Sequence, residues 1–143
     1  MDGITGIYNP GDGELVQKAF LATGALQHRG KTGAGIAIGT ARGINILKGV
    51  GGIVDVMDVD MIRLFQELGP VAAIGNVGYT KNKIAEKRNA EPILIKPRSD
   101  SRYQLAITMS GRILEDNEFE ESLENDYTLD TANRTELMGA HLH

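Results

Sequence analysis

The apolar and polar positions change period several times along this chain, and each change marks an element. Gly3 to Tyr8 is a short apolar run closed by Asn9-Pro10-Gly11, which reads as a strand and a turn. From Gly13 to His28, the residues Val16, Phe20, Thr23 and Leu26 fall at helical spacing, and Arg29-Gly30-Lys31-Thr32-Gly33 ends that helix in a glycine-rich loop. Ala34 to Ile38 and Gly43 to Leu47 read as a hairpin with its turn near Ala41-Arg42-Gly43, and Lys48 to Gly52 as a flexible connection. Asp58 or Asp60 caps a helix bearing Met61, Leu64, Phe65 and Leu68, stopped by Gly69-Pro70. Val71 to Tyr79 is a buried-type strand, and Lys81 to Arg88 is a polar surface loop.

Beyond that loop, Pro92 to Ile95 and Tyr103 to Met109 read as two more strands around the turn-rich Pro97-Arg98-Ser99-Asp100-Ser101. Glu115 to Asn125 is acidic, with Phe119 and Leu123 four apart on a short, solvated helix. Asn133 with Glu136 fits the start of a helix carrying Leu137, Met138, His141 and Leu142, and the chain stops inside it. Many of these strands lie too close together in sequence for crossover helices between parallel neighbours. The order predicts an α+β domain with a largely antiparallel sheet.

Composition narrows the function classes. At 143 residues with 41% apolar and 24% charged, the chain is one domain or part of one. A net charge of −4 argues against nucleic acid as a partner. No apolar run approaches the roughly 20 residues that span a bilayer, no signal-peptide pattern is present, and the expected location is cytoplasmic. With no cysteine, disulfides, thiolate metal sites and cysteine catalysis are excluded together. No metal site is expected: His141 and His143 read as solvated terminal residues and His28 as a buried hydrogen-bonding residue. Gly49-Val50-Gly51-Gly52 lacks the Lys and Ser/Thr of a phosphate loop. Lys81, Lys83, Lys87 and Arg88 form a basic surface loop.

The chain's start and six further segments, in order, carry a resemblance. Asp2-Gly3-Ile4 stands where class II glutamine amidotransferases begin with Cys-Gly-Ile. Leu26-Gln27-His28-Arg29-Gly30 followed by Gly33-Ala34-Gly35-Ile36-Ala37 is similar to the Leu-Gln-His-Arg-Gly segment and next strand of the glutamine phosphoribosylpyrophosphate amidotransferase family. Lys48-Gly49 with Val54-Asp55-Val56 resembles the stretch before its next helix, and Ala73 to Thr80 the strand ending in Gly-His-Val-Arg-Tyr-Ser. Asn89-Ala90-Glu91-Pro92 resembles Asn-Ala-Gln-Pro, Leu105 to Gly111 sits at Leu-Ala-His-Asn-Gly-Asn, and Thr135-Glu136 closes Ser-Asp-Thr-Glu. The resemblance implies part of an N-terminal-nucleophile αββα sandwich. Residues 1–143 would then be a single glutaminase-type domain, truncated at its C-terminal side relative to the family.

The resemblance also implies that glutaminase chemistry has been erased. Such chemistry needs a nucleophile with its base, an oxyanion hole and a clamp on the substrate. The nucleophile position holds Asp2, a poor attacker of an unactivated amide that is expected to lie exposed near the terminus, with Met1 retained ahead of it. The family's carboxylate-binding arginine corresponds to Gly78, and loss of such a pair removes roughly 1.5–3 kcal/mol. The family's ammonium-binding aspartate corresponds to Arg134, its oxyanion Asn-Gly to Ser110-Gly111, and its strand histidine to Asn76. Asp2, Asn76, Gly78, Tyr79, Ser110, Gly111 and Arg134 are expected to line a vestigial pocket with no catalytic set and no cofactor.

The expected function is therefore a catalytically inactive, amidotransferase-like binding or assembly subunit, a pseudoenzyme. The alternatives are an enzyme of another class binding a small anionic ligand through Arg134 and Ser110, and an active amidotransferase fragment with a misread N-terminus. A lone sheet with both faces apolar would expose a large patch, so a homo-oligomer or a separate partner chain is expected.

Overall fold

The computed structural model describes residues 2–79, 87–95, 104–111 and 134–142. The predicted helix over 115–125, the turn over 97–101, Asn133, most of the basic loop and the side chains of His141 and His143 lie outside the described residues. Strand β1 (Gly3–Tyr8) leads into helix α1 (Leu15–Ala25) and a 3-10 turn over Gln27–Arg29. The hairpin β2 (Gly33–Thr40) and β3 (Gly43–Val50) follows, then the short α2 (Ile53–Val56), α3 (Val59–Glu67) and β4 (Pro70–Gly78). A 3-10 turn over Lys87–Asn89 precedes β5 (Ile93–Ile95), β6 (Leu105–Ile107) and a last helix, α4 (Arg134–Leu142).

Strands one to four form one antiparallel sheet in the order β1-β4-β2-β3, and β5 and β6 form a second antiparallel pair. Alternation along the strands sorts the first sheet into two faces. Ile36 and Ile38 of β2, with Ala73 and Val77 of β4, face Leu15, Val16 and Ala19 of α1 and Ile53 and Met57 around α2. All of these are buried, and Ile62 and Phe65 of α3 close the same core. Gly75 allows the close approach of α1, since a methyl there would lie 2.1 Å from Thr23 Oγ1. The Thr5 and Thr23 hydroxyls meet at 2.9 Å across that contact, and Thr23 also donates to the Ala19 carbonyl.

Two glutamines tie the helical layer together. Gln66 of α3 accepts the Val16 N–H and donates to the Asp12 carbonyl, satisfying orphan groups at the start of α1. Gln27 accepts the Ile53 N–H at the start of α2 and donates to the Gly30 carbonyl. Asp58 caps α3 by accepting the Met61 N–H. Ahead of α1, the Lys18 ammonium and the Glu14 N–H hold the Asp12 carboxyl below its ordinary range.

Several expectations change. The run Lys48–Val50 is not a loose connection: it continues β3 to the end of its pairing with β2. Its glycine looks like a linker residue, but Gly49 sits in the sheet under Val56, where a side chain would crowd. In α3 only Phe65 of the four apolar residues named above packs inward, joined by Ile62, while Met61, Leu64 and Leu68 are exposed. His28 is exposed rather than buried, with its Nδ1 3.1 Å from the Ala25 carbonyl at the end of α1.

The first sheet does not stand alone either. Its second face meets the layer that carries β5 and β6. A methyl on Gly35 would lie 2.6 Å from the Glu91 carbonyl, Lys48 Nζ donates to the Arg88 carbonyl, and the Ile44 N–H donates to Gln104 Oε1. Ala37 is buried on this side. Helix α4 lies on β5 and β6, where Gly139 leaves room for Ile95 and Ile107. At the β1 end of this face Ile4 and Tyr8 are exposed.

Candidate functional site

Most of the predicted pocket residues gather where β1 begins and β4 ends. The antiparallel register sets Gly3 against Val77, so Asp2 falls beside Gly78. The Asp2 carboxylate accepts the Tyr79 N–H through Oδ1 at 3.3 Å. Its main-chain carbonyl accepts Arg29 Nε at 3.2 Å and the Ser110 hydroxyl at 3.3 Å. Asp2 is thus half-buried and held on both sides, and the expectation of a free terminal acid does not hold. Extended pairing along β1 carries the residue into this corner.

Close backbone contact makes the corner tight. A methyl on Gly30 would lie 2.5 Å from both the Cα and the nitrogen of Gly78. Thr32 clasps the same strand end, since its N–H and its hydroxyl both donate to the Gly78 carbonyl at 3.1 Å. The Gln-His-Arg-Gly turn therefore supplies a side chain, Arg29, and a missing side chain, at Gly30, to one site.

Behind this corner runs a buried polar chain. Asn76, only 3% exposed, donates from Nδ2 to Thr108 Oγ1 at 2.9 Å. Thr108 donates onward to Glu91 Oε2 at 2.7 Å, and the same oxygen accepts the Met109 N–H at 2.7 Å. The other oxygen of Glu91 accepts the Thr135 hydroxyl at 2.5 Å. Four elements meet through it: β4 by Asn76, the entry to β5 by Glu91, the exit of β6 by Thr108 and Met109, and α4 by Thr135. A buried carboxylate is tolerated when several donors surround it.

The remaining predicted residues are placed as follows. Ser110 and Tyr79 are exposed at the rim, and Gly111 follows Ser110 with φ +159, exposed. Arg134 opens α4, one residue before Thr135, and its side chain lies outside the described set. Glu91, Thr108 and Thr135 were not singled out as site residues by sequence reasoning. Their only signal is membership of the segments Asn89 to Pro92, Leu105 to Gly111 and Thr135-Glu136. Among the described residues no group of His, Cys, Asp and Glu is placed to hold a metal ion, and no helix is long and apolar enough to cross a membrane.

No family model matches the chain. Individual proteins do. It is 32% identical over 125 residues to an amidophosphoribosyltransferase of Methanocaldococcus jannaschii, covering 87% of this chain and 25% of that one. It is 30% identical over 141 residues to the amidophosphoribosyltransferase of Bacillus subtilis, covering 98% of this chain and 28% of the relative. Among solved structures, one described as the allosteric regulatory enzyme of purine biosynthesis superposes with a TM-score of 0.80 at 28% identity, over 99% of this chain and 29% of the other. The glutamine phosphoribosylpyrophosphate amidotransferase of B. subtilis, complexed with ADP and GMP, gives 0.72 at 26% identity, over 98% of this chain and 28% of the other. The chain thus spans between a quarter and a third of the length of these proteins. Matched along its sequence and its antiparallel fold alike, this chain is a class II glutaminase-like domain, similar to that of glutamine phosphoribosylpyrophosphate amidotransferase.

Proposed function

We propose that this domain keeps the glutaminase scaffold as a binding or assembly module and does not hydrolyse glutamine. The observation that carries the reading is Asp2, at the nucleophile's position, with its carboxylate on the Tyr79 N–H and its carbonyl on Arg29 and Ser110. A carboxylate already hydrogen-bonded in this way is a weak nucleophile, and no cysteine exists in the chain to replace it. Ser110 stands at the oxyanion position, yet its proton is directed to the Asp2 carbonyl rather than toward a substrate. Gly78 offers no guanidinium for a substrate carboxylate.

Incubated with millimolar glutamine, the purified protein is expected to release no ammonia above the buffer rate. Turnover that scales with protein concentration and is lost in Asp2→Ala would overturn the inactive reading.

The assembly part of the proposal draws on the helical layer. Leu21, Val59, Leu64 and Leu68 are all more than 40% exposed there, which is apolar surface of the kind that marks contact with another chain. Sedimentation at micromolar concentration is expected to show species heavier than the 15.4 kDa chain. A single monomeric boundary across the concentration range would remove self-association from the proposal.

A further inference from the structure

The buried polar chain behind the Asp2 corner fixes the polarity of that corner. The carboxylate of Glu91 only accepts hydrogen bonds, so Thr108 must give its one hydroxyl proton to it. Thr108 can then offer only a lone pair to Asn76, which forces the Asn76 NH2 toward Thr108 and leaves its Oδ1 on the far side. That oxygen belongs to a residue only 3% exposed, and no described residue donates a hydrogen bond to it.

Asn76 Oδ1 is aimed at the space over Gly78. A methyl built on Gly78 would lie 3.1 Å from Asn76 Oδ1 and 3.1 Å from Asp2 Oδ1. Two acceptors, one of them charged, therefore flank one small opening that glycine leaves unfilled. Of the described donors nearby, Arg29 Nε and Ser110 Oγ go to the Asp2 carbonyl, and the Tyr79 N–H takes only one lone pair of Oδ1. No described cation forms an ion pair with the Asp2 carboxylate. An anion placed between these two oxygens would face two acceptors, one of them charged.

We propose that this corner is a recognition site for a primary alkylammonium group, held by charge-assisted N–H bonds to Asp2 and a further bond to Asn76 Oδ1. The ligand class is thus an amine without need of a free carboxylate, the reverse of a site built to clamp an amino acid by its acid end. The inference rests on reading Asp2 as a binding group, and it deepens the proposed binding role. Glu91 and Thr108 act as positioning residues, since they set which face of the Asn76 amide is presented.

The test is a titration of the 15N-labelled protein followed by amide spectra at constant ionic strength. The probe is 1,4-diaminobutane, with tetramethylammonium (equal charge per nitrogen, no N–H) and glutarate as comparisons. The diamine is expected to move the Tyr79 and Gly78 amides saturably, while the two comparison ions leave them in place. Asp2→Asn keeps an oxygen for the Tyr79 N–H but loses the charge, and is expected to weaken diamine binding about tenfold. Gly78→Ala puts a methyl between the two oxygens and keeps the charge; it is expected to weaken binding at least as much.

Absence of a saturable shift with the diamine overturns the proposal, and so does a saturable shift with glutarate or an Asp2→Asn protein that binds the diamine like the parent. Ammonia release from glutamine by a protein that also binds the diamine would remove the inactive reading and leave the amine site standing. Amine silence in a protein without glutaminase activity would do the opposite.

Discussion

Replacing Glu91 by alanine is expected to lower folding stability by about 3–5 kcal/mol, a large share of the roughly 5–15 kcal/mol available to a domain. The variant removes the acceptor for the Thr108 and Thr135 hydroxyls and the Met109 N–H at one stroke. These groups sit between the two sheets and α4, where Thr135 is buried and Thr108 and Met109 are half-buried, so water replaces the carboxylate only in part. Glu91→Gln should behave differently. Its amide oxygen can still take the Thr108 and Met109 donors, and the Thr135 hydroxyl can turn to accept from its NH2. A loss of about 1 kcal/mol or less is expected for that variant. Urea denaturation of the three proteins decides the matter. If the alanine variant loses under 1 kcal/mol, or both variants lose equally, the carboxylate does not join the layers as described.

How far the sequence was legible depends on the range of the interaction concerned. Strand β1, the hairpin, the Asp58 cap and the strand before Tyr79 are written in local periodicity and turn residues, and all are present. Gly49 was misread because a glycine that makes room for Val56 in a packed sheet looks, in sequence, like a glycine in a linker. Met61, Leu64 and Leu68 were misread because helical spacing names an apolar stripe without saying which neighbour covers it; the core lies under Ile62 and Phe65. His28 failed for a related reason: its motif marks a turn, and the turn's work is done by Gln27, Arg29 and Gly30 on either side. The corner residues Asp2, Asn76, Gly78 and Ser110 were found through family resemblance, since they are scattered over more than a hundred positions and share no local pattern. Glu91 was missed for the opposite reason. It differs from the family's glutamine by one atom type, and its meaning lies in partners 17 and 44 residues away.

The sharpest test of the corner's geometry is Gly30→Ala, for which a loss of about 3 kcal/mol or more is expected. The backbone at Gly30 is extended, with φ −164 and ψ 140, so alanine meets no conformational penalty there. The cost is contact alone: the new methyl would lie within 2.6 Å of three backbone atoms of Gly78. Backbone cannot rotate aside as a side-chain tip can, so β4 must retreat from the turn. Retreat stretches both Thr32 bonds to the Gly78 carbonyl and carries Tyr79 away from Asp2. Gly6→Ala is the control, since a methyl there meets nothing within 4 Å on an exposed strand position, and a change between neutral and about +1 kcal/mol is expected. Thermal and urea unfolding measure both variants. In Gly30→Ala the Tyr79 amide should also lose its response to 1,4-diaminobutane, even at temperatures where the protein remains folded. Retention of full stability and of that response would mean that the turn and the end of β4 are not in van der Waals contact, and the placement of Asp2 beside Gly78 would fall with it.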